Sequence, residues 1–137
     1  MRKLNDFELG YLVGIFEGEG YFIIRKERNK VHARCGIEMC DKDVIEKVRD
    51  IVDCTMKIGE IRKKKPRKTQ FSFIINGIPA IELSDKLYQY LSIRRQWQII
   101  RMKTLNGICR ENFESFQKIE EEFKNEKSEI SGIKEGD

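Results

Sequence analysis

Two carboxylates, Glu17 and Glu19, stand two residues apart at the end of an apolar helical stretch, each followed by a glycine. An ionised carboxylate only accepts hydrogen bonds and is a preferred ligand for hard cations. The C-terminal end of a helix already carries partial negative charge, so two carboxylates there call for a positive partner. A divalent cation is the simplest one. A second charged feature lies far downstream, at Lys63-Lys64-Lys65-Pro66-Arg67-Lys68, where five basic residues surround a proline. Such a run can hold phosphate. Taken one at a time, each feature has a plainer meaning: a helix ending in solvated glutamates with Gly20 as its cap, and a solvated basic loop.

The elements around these residues can be read from spacing. Leu4, Phe7, Leu9, Tyr11 and Leu12 make the upstream segment apolar enough for a buried helix, and Asn5 with Glu8 forms a capping box at its start. Gly10, Gly14 and Gly18 recur every four residues and line one helix face without side chains. Glycine inside a helix costs roughly 1 kcal/mol against alanine, so three on one face point to close packing against another backbone. After Gly20 the period changes to that of a strand, Tyr21 to Arg28. Phe22 and Ile24 share one face; Tyr21, Ile23, Arg25 and Glu27 share the other. Asn29 and Lys30 turn the chain. A second strand, Val31 to Met39, alternates cleanly, with Val31, Ala33, Cys35, Ile37 and Met39 apolar against Lys30, His32, Arg34, Gly36 and Glu38.

Asp41-Lys42-Asp43 starts a helix, with Asp43 and Glu46 as a capping pair and an apolar stripe of Val44, Ile45, Val48, Ile51 and Val52. A second hairpin follows, one strand from Lys57 to about Lys64 and the other from Thr69 to Ile75. The basic run forms its tip and Pro66 fixes the turn. Phe71, Phe73 and Ile75 should face the core, with Gln70 and Ser72 opposite. Pro79 suits the first turn of a third helix, whose buried side is Leu83, Leu87 and Leu91. Ser92 caps a fourth, Ile93 to about Leu105, with Ile93, Trp97 and Ile100 expected to face inward. Phe113, Phe116, Ile119 and Phe123 among acids suggest a short amphipathic helix, with disorder expected after about Glu126.

The 137 residues suit one domain with a true core, residues 1–106, followed by an acidic helical extension, 107–137. The body carries 22 Lys and Arg against 14 Asp and Glu, the extension 5 against 9. A basic body points to a polyanionic partner. No apolar run is long enough to span a membrane and no secretory signal is evident, so the expected location is the cytosol or an organelle. The four cysteines form no Cys-x-x-Cys pair and His32 is the only histidine, which argues against a zinc site.

The run Leu12-Val13-Gly14-Ile15-Phe16-Glu17-Gly18-Glu19-Gly20 resembles the LAGLIDADG motif of homing endonucleases. Leu12, Gly14 and Gly20 match it. Ile15 and Phe16 replace apolar positions, Gly18 a small one, and Glu17 and Glu19 the two acidic ones. Val13 departs from the usual alanine. The order of elements also agrees over roughly residues 4–105. The resemblance implies an α+β, αββαββα fold with a four-stranded antiparallel DNA-binding sheet, here with an extra C-terminal helix. One motif copy implies a homodimer built on Gly10, Gly14, Glu17 and Gly18.

The implied activity is metal-dependent cleavage of both strands at a long pseudo-palindromic DNA site. Glu19 would coordinate Mg²⁺, with the Gly18 carbonyl facing the metal. Asp41 stands where relatives often place a polar residue that orients water. Arg94 stands where they often have lysine, and arginine cannot serve as a base near neutral pH. Base reading would fall to Arg25, Glu27, His32, Arg34, Glu38, Arg62, Lys64, Gln70 and Ser72, and backbone contact to Lys63, Lys65, Arg67 and Lys68. Intron-splicing maturases that bind RNA and non-cleaving DNA-binding regulators share this fold and are the alternative readings. A structural protein that dimerises through the glycine face would leave the basic body unexplained.

Overall fold

The cap at Asn5 forms as its sequence dictates. Its side-chain oxygen accepts the Glu8 N–H at 2.8 Å, and Glu8 accepts the Asn5 N–H at 3.1 Å. The Arg2 guanidinium, then the Asn5 N–H, hold the Glu8 carboxyl down at about 2. A computed structural model of the chain describes residues 1–53 and 55–135, with side chains through Ser128. From the cap, α1 runs Asp6–Glu19. Then come β1 (Gly20–Lys26), β2 (Val31–Met39), α2 (Lys42–Asp53), β3 (Gly59–Ile61) and β4 (Gln70–Asn76). Three helices close the chain: α3 (Ile78–Leu87), α4 (Ile93–Leu105) and α5 (Arg110–Glu135). A single 3-10 turn, Tyr88–Tyr90, links α3 to α4.

The strands form one antiparallel sheet in the order β1-β2-β4-β3. Gly20 pairs with Ile37 and Lys26 with Val31, so α1 delivers the chain directly into β1. Only glycine fits at that junction. A Cβ on Gly20 would lie 2.7 Å from the Phe16 backbone, while the Gly20 N–H closes α1 onto the Phe16 carbonyl. One sheet face carries Phe22, Cys35, Ile37, Phe73 and Ile75, and the helices cover it with Leu12, Phe16, Ile45, Val48, Leu83, Leu87, Ile99 and Met102. Burial pushes the Cys35 thiol up to about 12, so it remains a small neutral hydrophobe. The result is the expected α+β, αββαββα arrangement with additional C-terminal helix.

Several details differ from the sequence reading. β1 ends at Lys26, and β3 spans only three residues, leaving most of the basic run in an irregular loop. Asp43 does not cap α2. Asp41 precedes that helix, and its carbonyl receives the N–H groups of Val44 and Ile45, so Asp43 already lies in the first turn. α4 presents the opposite face from the one expected. Arg95, Ile99, Met102 and Leu105 are buried, whereas Ile93, Trp97 and Ile100 are exposed, Trp97 by 66%. Two apolar stripes compete on this helix, and the one that wins is in phase with the end that docks against β2 and α5.

α5 is longer than the expected short helix and runs to Glu135, past Glu126. Gly136 and Asp137 lie outside the described residues. Its first turn is fastened to the β1–β2 turn, with the Arg110 N–H on the Asn29 carbonyl at 2.8 Å and Phe113 buried against Val31 and Leu105. Gly107, at φ +86°, makes the bend between α4 and α5, a conformation that glycine adopts without strain.

Candidate active site and nucleic-acid interface

Glu17 and Glu19 have different fates. The Glu17 carboxylate accepts the Ser92 N–H at 2.5 Å and the Ser92 hydroxyl at 2.9 Å. It therefore sits at the N-terminus of α4, where a helix dipole favours an anion. Arg95, only 7% exposed, donates from Nε (3.3 Å) and Nη2 (3.1 Å) to the Glu17 backbone carbonyl, and lies 3.6 Å from the carboxylate. Gln98 accepts the remaining guanidinium arm at 3.1 Å. The cation that offsets the end of α1 is thus a protein side chain for Glu17, in place of the metal expected for the pair. Burial lowers the Arg95 pKa, as does the charge of neighbouring Arg94, while Glu17 raises it. Arg95 could have been found in the sequence, because it continues the Ile99–Met102 spacing toward the N-terminus of α4.

Glu19 is the last residue of α1 and is exposed, as is Gly18. Among the described residues, no hydrogen bond or ion pair engages the side chain of Glu19, Asp41 or Arg94. The elements that carry these three residues run to the same end of the sheet. The Glu17–Ser92 contact brings the start of α4, with Arg94, to the end of α1. The Gly20–Ile37 pairing brings the exit of β2, with Asp41 four residues on, to the same end. Among the described residues, no three His, Cys, Asp or Glu side chains of one chain converge where a metal ion could sit. The glycine face is open as expected. A Cβ added to Gly10, Gly14 or Gly18 meets nothing within 4 Å.

The sheet face away from the helices carries most of the expected polar set in cross-strand rows. Arg25 lies opposite His32, and Glu27, just beyond β1, contacts both, at 3.3 Å to Arg25 and 3.5 Å to His32. Arg34 pairs with Asn76, its Nε donating to Asn76 Oδ1 at 2.8 Å. Glu38 lies opposite Ser72. Ser72 departs from expectation because it is 4% exposed. Its hydroxyl covers Gly59, where a Cβ would approach it to 2.5 Å. Ser72 is therefore chiefly a packing residue between β3 and β4. Gln70 is half-buried, and Arg62, Lys63, Lys64, Lys65, Arg67 and Lys68 are all exposed in the β3–β4 loop.

The face also carries apolar and aromatic residues. Ile23 and Ile61 are exposed on it, and Tyr21 lies across Gly36, beside Ile74. Burial, then the Glu38 charge, pushes the Tyr21 phenol up to about 12. The strand alternation contained this signal for Tyr21 and Ile23, which share parity with Arg25, but not for Ile61, whose strand does not alternate strictly in sequence.

A sequence model of the LAGLIDADG endonuclease family matches residues 12–93, more than half of the chain. The chain belongs to that family. Solved LAGLIDADG structures have the same fold. The archaeal intron-encoded homing endonuclease I-Vdi141I, complexed with DNA, is 15% identical with a TM-score of 0.54, over 69% of this chain and 64% of that one. The group I intron-encoded homing endonuclease I-CeuI, also complexed with DNA, is 14% identical with a TM-score of 0.54, over 76% and 56%. The LAGLIDADG meganuclease I-AabMI, bound to uncleaved DNA, is 18% identical with a TM-score of 0.53, over 70% and 35%. The chain thus spans less than two thirds of the length of each. Among the described residues, no helix is long and apolar enough to cross a membrane.

Proposed function

We propose that two copies of this chain form a metal-dependent endonuclease that cuts both strands of a long pseudo-palindromic DNA site. One observation carries the reading. Of the two carboxylates at the end of α1, packing consumes Glu17 and leaves Glu19 exposed beside a bare glycine face. Two copies meeting on that face would bring two Glu19 carboxylates together, supplying donors that one chain lacks.

The Glu19 carboxylate and Gly18 carbonyl are hard oxygen donors and suit Mg²⁺, which when bound polarises phosphate and activates water. The chain's own residues do the rest. Asp41 accepts a hydrogen bond from a water and aims it. Arg94 keeps its charge at neutral pH, so it neutralises the phosphate and does not take a proton. The outer sheet face lies in the major groove. There Arg25 and Arg34 can donate to guanine, Glu38 can accept from cytosine, and Ile23 and Ile61 can touch thymine methyls. The β3–β4 loop holds backbone phosphate.

The direct test is to incubate the protein with a randomised duplex pool and Mg²⁺ and to sequence the cut ends. Cleavage within a long two-fold-related sequence supports the reading. Binding without any cleavage would overturn it in favour of a regulator or an RNA-binding maturase.

Two further outcomes are expected. Gly14→Leu leaves the folded chain intact, because a Cβ there meets nothing within 4 Å in the subunit, but it lowers association through α1 at least ~30-fold by an overpacking cost of about 2 kcal/mol. Sedimentation equilibrium of the full chain measures this, and unchanged association would count against the glycine interface. Neutralising Lys63, Lys65, Arg67 and Lys68 to Gln flattens the slope of log affinity against log salt by up to about 3.6 per subunit if all four meet phosphate. An unchanged slope would remove the loop from the interface.

A further inference from the structure

Beyond Glu120 the described side chains of α5, through Ser128, all lie in solvent. Arg101 grips Glu120 with two 2.8 Å hydrogen bonds, and Phe113 is buried one to two turns earlier. From Glu121 through Ser128 every residue is exposed. Yet the helix carries a line of large apolar side chains left in solvent: Phe116 (39% exposed), Ile119 (63%) and Phe123 (64%). Their spacings of three and four are those of heptad positions a, d and a. By sequence the line continues with Glu126 at d, Ile130 at a and Ile133 at d, about two and a half heptads in all.

The flanks name the occupant. Glu122 and Glu129 fall at g, and Lys127 and Lys134 fall at e. In a parallel pair, each g residue faces the e residue five positions on in the partner helix. Glu122 then meets Lys127 and Glu129 meets Lys134, and two-fold symmetry doubles both pairs. An antiparallel pair would set Glu122 against Glu129, like charge to like. One term opposes the parallel pair: Glu126 at d meets its own copy.

We propose that α5 pairs in parallel with α5 of a second copy of this chain, through the Phe116–Ile119–Phe123 seam, as an association surface separate from the glycine face of α1. The seam does not depend on any nuclease activity. It is short, so it adds a modest, charge-selected contact and not an independent, long-lived coiled coil.

The test uses two full-length variants carrying different tags. E122K/E129K makes both flanks of the seam basic, and K127E/K134E makes both acidic. All the changes lie on α5, and Glu122 and Lys127 are exposed. Each variant should self-associate at least ~10-fold more weakly than the unaltered chain. Mixed together, they should pair with one another at least ~10-fold beyond statistical mixing, read by capture on one tag. Pairing through α1 alone is blind to these charges and gives statistical mixing, which would overturn the proposal. Separately, Glu126→Leu should slow subunit exchange of the unaltered chain at least ~10-fold by completing the d position. Exchange at the original rate would equally count against the seam.

Discussion

Glu19→Gln is expected to fold as well as the parent, bind DNA as tightly, and cleave at least ~1,000-fold more slowly, a barrier increase of about 4 kcal/mol. The three parts of that result come from one structural fact. Glu19 is exposed and makes no hydrogen bond or ion pair to the described residues of its own chain, so the amide breaks nothing internal. Surface changes of that kind usually stay within about 0.5 kcal/mol in stability. The amide keeps the shape and one oxygen but removes the negative charge that a hard cation needs, and two copies lose it twice in a dimer. Urea unfolding, DNA titration without metal, and single-turnover cleavage with Mg²⁺ read the three parts separately. Undiminished cleavage would remove Glu19 from the chemistry. A loss that tracks unfolding would assign it a structural role.

The same substitution at Glu17 should behave differently, and the contrast bears on what a sequence can disclose. Glu17 and Glu19 are chemically identical and two residues apart, so the motif presents them as a pair. Only the fold separates them, because the contact that claims Glu17 comes from Ser92 and Arg95, more than 70 residues away. Local signals were readable where the physics is local. The Asn5–Glu8 capping box, the alternation of β2 from Val31 to Met39, and the Ser92 cap of α4 each depend on neighbours within a few residues. Signals failed where two local patterns compete or a distant element decides. α4 carries two apolar stripes, and tertiary docking selected Ile99–Met102 over Ile93–Trp97. Ser72 obeys strand parity but disappears under a gap left by Gly59 on the next strand. Of the apolar residues on the outer face, Ile23 had the parity of Arg25, whereas Ile61 lies on a strand whose sequence does not alternate strictly, so only pairing with Gln70 places it.

Arg95→Ala is expected to cost about 2–4 kcal/mol of folding stability. The guanidinium is almost wholly enclosed and does three jobs at one point. Its two hydrogen bonds satisfy the last-turn carbonyl of Glu17, an acceptor with no partner further along its helix. Its charge opposes the negative end of α1 and the Glu17 carboxylate together. Its stem continues the buried stripe of Ile99 and Met102. The Glu17 carboxylate is about a third exposed, so water takes over part of the lost attraction, and the larger share of the cost comes from the unpaired carbonyl and the vacated volume. Arg95→Met separates these contributions. Its thioether refills most of the volume without charge or donors, so it should recover roughly half of the loss. The effect should also reach the candidate active site. Glu19 is two residues beyond the clamped carbonyl, and Arg94 adjoins the clamp, so loosening it frees both ends that the site must hold in register. At a temperature where both variants remain folded, cleavage should fall at least ~10-fold for Arg95→Ala, with DNA affinity nearly unchanged, since a small misplacement of reacting groups is costly to rate and cheap to binding. Urea unfolding and single-turnover rates measured on the same samples decide it. A stability loss below about 1 kcal/mol would show that the clamp between α1 and α4 is not what positions Glu19.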